Sequence, residues 1–288
     1  MKKLIINADD LGLSRSVNKG IIELFCKGVL TSSSLLVNMP GFDDAVSLIK
    51  SDRSLCVGVH INVVRGQPVS PVERVGSLCK GDSFRGSIPY LMALPYVYKQ
   101  GLEEFATECR AQIEKALSKG VCITHLDSDK HIHIIRPFFK TLLKVAQEYG
   151  ILKIRCINET PYLPSFLFNP SCFFNQQRYT ALYLSYCSME NRKLLDAHNF
   201  HSPDHFFGVS ATGHMTLEDY IRILSDLKEG TTEIMCHPGY VDDEWQNYPL
   251  NQDRINIKRQ KELSVLLDPR IKESIQQHGI SLMNYREL

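Results

Sequence analysis

The chain has 288 residues, 43% hydrophobic and 23% charged, with 33 Lys+Arg against 32 Asp+Glu. A charge so near balance leaves no electrostatic footprint for nucleic acid or an anionic membrane, and the apolar content excludes a disordered chain. No stretch approaches the ~18 consecutive apolar residues of a membrane span. The opening MKKLIINADD has only three consecutive apolar residues before Asn7, too few for a signal-peptide core. The nine cysteines are odd in number, scattered, and form no CxxC pair. They read as reduced thiols, mostly small buried hydrophobes, in a cytoplasmic protein.

Elements alternate along the chain. Leu4-Ile5-Ile6 predicts a first strand that ends in Asn7-Ala8-Asp9-Asp10. Val17, Ile21, Leu24 and Phe25 recur with helical spacing, with Ser14 or Ser16 as cap. Ser33–Val37 reads as a strand, 42–49 as a short helix, and Leu55–Val59 as a buried strand running into His60. Residues 65–100 are expected to form a loop-rich insert, dense in Gly and Pro up to Pro89. A helix over 102–118 precedes the strand Cys122-Ile123-Thr124, which leads to His125 and Asp127. Pro137 opens the next helix, as proline does at a first turn. Gly150 ends it, and Lys153–Ile157 follows as a strand.

Residues 158–200 are proline- and aromatic-rich and read as a second insert, either a lid or the surface of a homodimer. Phe206–Val209 is a further strand, 217–227 a helix, and Glu233–Cys236 a strand ending in His237-Pro238-Gly239. Helices near 255–266 and 270–277 and a strand-like Ser281–Asn284 complete the chain. Such β-α alternation implies a parallel sheet flanked by helices. With no repeat or linker in view, the expectation is one α/β domain over 1–288. It is a single TIM-barrel-like (β/α) barrel of seven or eight strands, with a doubly wound open sheet as the alternative.

The polar residues follow a pattern that packing does not demand. Asp9 and Asp10, His60, His125 with Asp127, and His237 each fall at the C-terminal end of a predicted strand, where β/α barrels assemble active sites. Imidazole with carboxylate suits zinc, magnesium or another divalent ion, and such an ion can acidify a water and polarise a carbonyl. Taken singly, each residue has a blander reading. Asp9-Asp10 could be a turn and helix cap, His60 a hydrogen-bonded core histidine, and His237-Pro238-Gly239 a turn. The run from His125 to His133, with three histidines and two aspartates in nine residues, resists that treatment. Not all of these side chains can bind one ion, so some must orient ligands or meet substrate.

The blocks IINADDLGLSRSVNKGIIE, TSSSLLVNMPGFDDAV, VGVHINVVRGQPV, THLDSDKHIHIIRPFFK, SPDHFFGVSATGHMT and EIMCHPGYVD together resemble the YdjC-like carbohydrate deacetylase family, which includes chitooligosaccharide deacetylases. The resemblance implies a divalent-metal hydrolase on a β/α barrel, with a small carbohydrate as partner. It implies Asp10, His60 and His125 as metal ligands and Asp9 as catalytic base. His237 would be the general acid or the group that steadies the transition state. Asp127, His131, His133 and Arg155 would orient ligands or touch substrate; Arg155 could equally hold Asp9 or form a structural ion pair. The family segment usually reads HLDSHxHxH, so Asp129 stands here in place of a histidine. Two rivals accompany this reading: another metal-dependent hydrolase or isomerase acting on a sugar, and a non-catalytic sugar-binding relative, since fold alone does not fix function.

Overall fold

A computed structural model of the chain describes residues 1–27, 29–159, 176–243 and 256–288. Parallel strands form the centre in the order β6-β3-β2-β1-β8-β7. These are β1 (Lys2–Leu11), β2 (Ser32–Leu35), β3 (Cys56–Ile61), β6 (Ile123–Ser128), β7 (His205–Phe207) and β8 (Gly230–Cys236). A short C-terminal β9 (Ser281–Leu282) adds to β1. Between β3 and β6 lie a small hairpin, β4 (Cys79–Lys80) with β5 (Ser83–Phe84), and helix α3 (Ile88–Val97). The helices α1 (Arg15–Cys26), α2 (Phe42–Ser51), α4 (Gly101–Ser118) and α5 (Arg136–Glu148) cover the sheet. Later helices span Gln176–Ala197, Leu217–Ser225, Asn256–Leu266 and Pro269–Gln277.

The sheet curls into a barrel-like α/β fold. Its two end strands, β6 and β7, approach one another through the segment between them. Leu126 bridges Ile154, and Glu159 bridges Phe206, both in parallel sense. The strand expected over Lys153–Ile157 is therefore reduced to isolated bridges at its two sides. The part of the 158–200 insert at 160–175 lies outside the described residues, and the rest is dominated by the helix Gln176–Ala197.

The strands run longer than their apolar stretches suggest. Asp9 and Asp10 lie within β1, His60 within β3, and His125 and Asp127 within β6, rather than beyond their ends. The cause is that polar side chains can continue a buried parallel strand when partners inside the fold satisfy them. His60 stands directly across from Asp127 in the β3–β6 register. Of the caps expected for α1, Ser14 acts, accepting from the Val17 N–H.

Candidate active site

Two consecutive aspartates in a regular strand would point to opposite faces. Here the β1–β2 register shifts between Ala8 and Leu11, and Asp10 adopts a left-handed backbone, with φ of 71°. That conformation is uncommon outside glycine and marks a local kink of the bulge kind. Both aspartates consequently reach His60. Asp9, His60 and Asp127 form one group of ligand-type atoms lying within 4.8 Å of one another, and Asp10, His60 and Asp129 form a second.

His60 links the two groups. Its Nδ1 lies 2.8 Å from Asp127 Oδ1, while Nε2 faces Asp10 Oδ1 at 3.9 Å. Burial alone would lower the His60 pKa, but Asp127 and Asp9 outweigh it and raise the imidazole to about 9. A carboxylate behind one ring nitrogen, with the other nitrogen presented forward, is the usual orientation of a metal-binding histidine.

Arg155 organises the floor of the site. Its terminal nitrogens meet Asp9 Oδ1 and Oδ2 at 2.7 and 2.8 Å, Asp127 Oδ2 at 2.7 Å and Glu233 Oε1 at 2.7 Å. Arg155 is completely buried, so it orients carboxylates and has no surface to offer a substrate. Glu233 in turn accepts from the Tyr285 hydroxyl at 2.6 Å. Asn7 donates to Asp9 Oδ1 at 2.8 Å. Burial would raise the Asp127 carboxyl, yet Arg155 and His60 hold it well below the usual carboxylate range.

His125 belongs to neither donor group. It sits two residues before Asp127 on β6, roughly 7 Å deeper by strand rise. Thr124 Oγ1 lies 2.9 Å from its Nδ1 and Ser34 Oγ 3.3 Å from its Nε2. Its ring stacks on Tyr285, with centroids 3.7 Å apart. On its other side Gly58 leaves the necessary space, since a Cβ there would come within 2.6 Å of the ring. Burial lowers the His125 pKa to about 3. The place expected for His125 beside Asp10 and His60 is filled instead by Asp129.

The remaining candidates separate by role. His133 is buried and held at both ring nitrogens: Ser128 Oγ lies 2.6 Å from its Nδ1, and its Nε2 meets the Arg155 carbonyl at 3.1 Å. Lys130 and His131 both have left-handed backbones, at φ of 53° and 57°. This tight turn leaves His131 Nδ1 buried with no hydrogen-bond partner. His237 follows β8 directly, its backbone N–H donating to Glu262 at 3.1 Å. It lies near enough to Asp10 to help lower that carboxyl. Gly239 packs on Gly20 of α1 so closely that a Cβ on Gly20 would fall 2.7 Å from its Cα.

Of the aromatic residues near the site, Phe206 is buried in the core and the Tyr240 hydroxyl donates to Glu23. Sequence reasoning passed over Arg65, Arg259, Glu233 and Tyr285. Arg65, inside the VGVHINVVRGQPV block, and Glu233, which opens the EIMCHPGYVD block, lay near candidates; nothing in the spacing announced Arg259 or Tyr285.

Arg65 and Arg259 both reach Asp10. Arg65 Nη2 lies 3.0 Å from Asp10 Oδ1, and its Nε lies 2.8 Å from Asp129 Oδ2. Arg259 Nη2 donates to Asp10 Oδ2. Burial would raise Asp10, but these two guanidinium groups hold it well below its ordinary value. Burial likewise opposes the ionised form of Asp129, and Arg65 lowers its pKa regardless.

Residues 3–277 match a protein family described as YdjC-like. The chain is 32% identical over 289 residues to a carbohydrate deacetylase of Brevibacillus brevis, covering 99% of each. It is 28% identical over 292 residues to a chitooligosaccharide deacetylase of Proteus mirabilis, covering 99% of this chain and 98% of that one. A solved structure from Enterococcus faecalis, of a protein described as a candidate cellobiose-phosphate cleavage protein, superimposes with a TM-score of 0.77. It has 26% identity and covers 99% of this chain and 98% of that one.

Proposed function

The chain belongs to the YdjC-like family, and on that premise we propose that it is a metal-dependent carbohydrate N-deacetylase. Its substrate would be an amino sugar or short chitooligosaccharide, cleaved to acetate and a free amine. The observation that carries the reading is the side-by-side placement of a fixed carboxylate, Asp9, and an Asp10–His60–Asp129 group of ligand-type atoms. A sugar-binding protein would need no such pairing. The fold that carries it would be a barrel closed by the 153–159 segment as an additional stave, with inserts at 65–100 and 158–200.

The donor chemistry fits a divalent ion. Two carboxylates and one imidazole whose second nitrogen is held by Asp127 match zinc or a harder ion such as magnesium. Asp10, His60 and Asp129 would hold it, with His125 beneath them. When bound, the ion would polarise the acetyl carbonyl and acidify an attacking water.

Asp9 takes the proton from that water. A carboxylate has about four lone-pair sites, and Arg155 with Asn7 occupies three of them, so an acceptor position remains while the side chain cannot rotate away. His237 delivers a proton to the departing amine. His131, half-buried beside the exposed Lys130, would orient a ligand or meet the sugar. His133 and Arg155 hold this floor in place.

A near-neutral surface suits an uncharged sugar that needs no electrostatic steering. No helix among the described residues is long and apolar enough to cross a membrane. The same reading places the enzyme in the reducing cytoplasm. A homodimer would use the exposed aromatic face around Tyr179, Tyr183 and Tyr186.

Acetate release from diacetylchitobiose, measured with and without added zinc or magnesium, tests the proposal. Turnover of acetylated sugar, with none of a phosphorylated or ester substrate, is the expected result. Release of phosphate or of an ester alcohol without amide cleavage would favour a different hydrolase.

A further inference from the structure

The candidate ion site already contains a positive charge. Arg65 is buried and lies across the two carboxylates of the Asp10–His60–Asp129 group. Nε meets Asp129 Oδ2 at 2.8 Å, and Nη2 meets Asp129 Oδ1 at 3.2 Å and Asp10 Oδ1 at 3.0 Å. The same Asp10 oxygen is the one that His60 Nε2 faces at 3.9 Å. The other oxygen of Asp10 is taken by Arg259. All four carboxylate oxygens of Asp10 and Asp129 are therefore in contact with a guanidinium.

A divalent ion ligated here would sit ~2.0–2.2 Å from carboxylate oxygens. Arg65 Nη2 now contacts both carboxylates, in the space between them. An ion and a guanidinium so close, in a buried site of low effective dielectric, repel strongly. The charge arithmetic also accounts for Asp129. An aspartate at this position adds one negative charge relative to a neutral histidine, and Arg65 adds one positive charge directly against it. The two cancel, and Asp10 has Arg259 as a further partner.

We propose that Arg65 is the resident cation of the Asp10–His60–Asp129 group, and that a divalent ion enters only when its guanidinium leaves Asp10 and Asp129. The proposal rests on the reading that this group holds an ion. It makes ion affinity a property of the Arg65–Asp129 pair, so binding is weaker and more easily reversed than the donor set alone would give. The ion must compete with a tethered charge at high local concentration.

The test uses the full chain, stripped of metal by chelator. Zn²⁺ and Mg²⁺ affinities are measured by equilibrium dialysis for the parent protein, Arg65→Met and Arg65→Gln. Both variants should bind Zn²⁺ at least about tenfold more tightly than the parent, within the usual range of coupling between sites. A second readout needs no folded variant to be active. The Arg65 Nε–H resonance of the isotope-labelled parent, assigned by its loss in Arg65→Lys, should shift as Zn²⁺ saturates the protein. Unchanged or weaker Zn²⁺ binding in both variants would overturn the proposal, as would saturation of the parent without movement of that resonance. Acetate release with equal affinities across the series would sink the Arg65 role and leave the deacetylase reading standing. Tighter binding without acetate release from any form would do the reverse.

Discussion

Arg155 grips Asp9 with both terminal nitrogens, at 2.7 and 2.8 Å, and the same two nitrogens form ion pairs with Asp127 and Glu233. Three buried carboxylates thus share one guanidinium, with His60 as the second nearby cation. A planar fork of five donors can serve the four oxygens involved; the three donors of an ammonium cannot. The geometry of the candidate site is consequently set by a residue with no exposed surface.

Replacing Arg155 should be costly even conservatively. Arg155→Lys leaves at least one of Asp9, Asp127 and Glu233 without its partner in the interior, and breaking a buried pair on one side costs about 3–5 kcal/mol. Denaturant unfolding of the variant should show a loss of that order. A midpoint within experimental error of the parent would refute the structural importance assigned to this network.

Asp9→Asn preserves shape and removes the charge that accepts the proton. Turnover should fall by about 10²–10⁴, the usual contribution of a positioned general base. Zn²⁺ binding measured by dialysis should persist, because Asp10, His60 and Asp129 are intact. Retention of full rate would show that the base lies elsewhere.

The pH dependence of ion-free stability has two limbs. His60 has a folded-state value of about 9 against an ordinary 6.5. Its contribution is therefore fully present below pH 6.5 and is lost as pH rises through about 9, amounting to roughly 3 kcal/mol. His125 and His133 go the other way, held neutral by burial with values of about 3 and about 4. Their contribution is present above pH 6.5 and is lost as pH falls below it. Denaturant melts of the stripped protein should peak near pH 6.5, and His60→Gln should flatten the alkaline limb alone. An alkaline limb of the same depth in the variant would rule out His60 as its source.

Tyr285 ties the C-terminus to the floor of the site through Glu233, at 2.6 Å, and through its stack on His125. Tyr285→Phe keeps the stack and deletes the hydroxyl. A loss of about 1–3 kcal/mol is expected, since Glu233 is left short of a buried partner. Thermal unfolding reads it directly, and an unchanged melting temperature would contradict it.

Gly20→Ala tests how His237 is placed. The added methyl would lie 2.7 Å from the Gly239 backbone, so the His237-Pro238-Gly239 loop must shift. A displacement near 1 Å at a catalytic group can cost about 10²-fold in rate. The kcat for acetate release should drop well below that of a Gly76→Ala control, where the nearest atom to the new methyl is 3.6 Å away. Equal kcat values in the two variants would separate His237 from catalysis.

The order of strands and helices was legible in the chain because buried parallel strands are continuous apolar runs and surface helices carry an apolar stripe. Asp9, Asp10, His60 and His237 stood out because ligand-type residues recurred at strand ends, and the THLDSDKHIHIIRPFFK block singled out Asp129 as a departure. What the chain could not disclose is depth and charge pairing. A kink at Asp10 brings two neighbouring aspartates to His60, and two residues of strand rise set His125 beneath Asp127, while Asp129, just past β6, groups with Asp10 and His60. The guanidinium groups of Arg65, Arg155 and Arg259 arrive from segments far apart in sequence, so no local spacing reveals them. The amino-acid sequence determined which chemical groups this protein possesses; only the closing of the sheet decided which buried charges face one another, because long-range contacts follow from packing and not from periodicity.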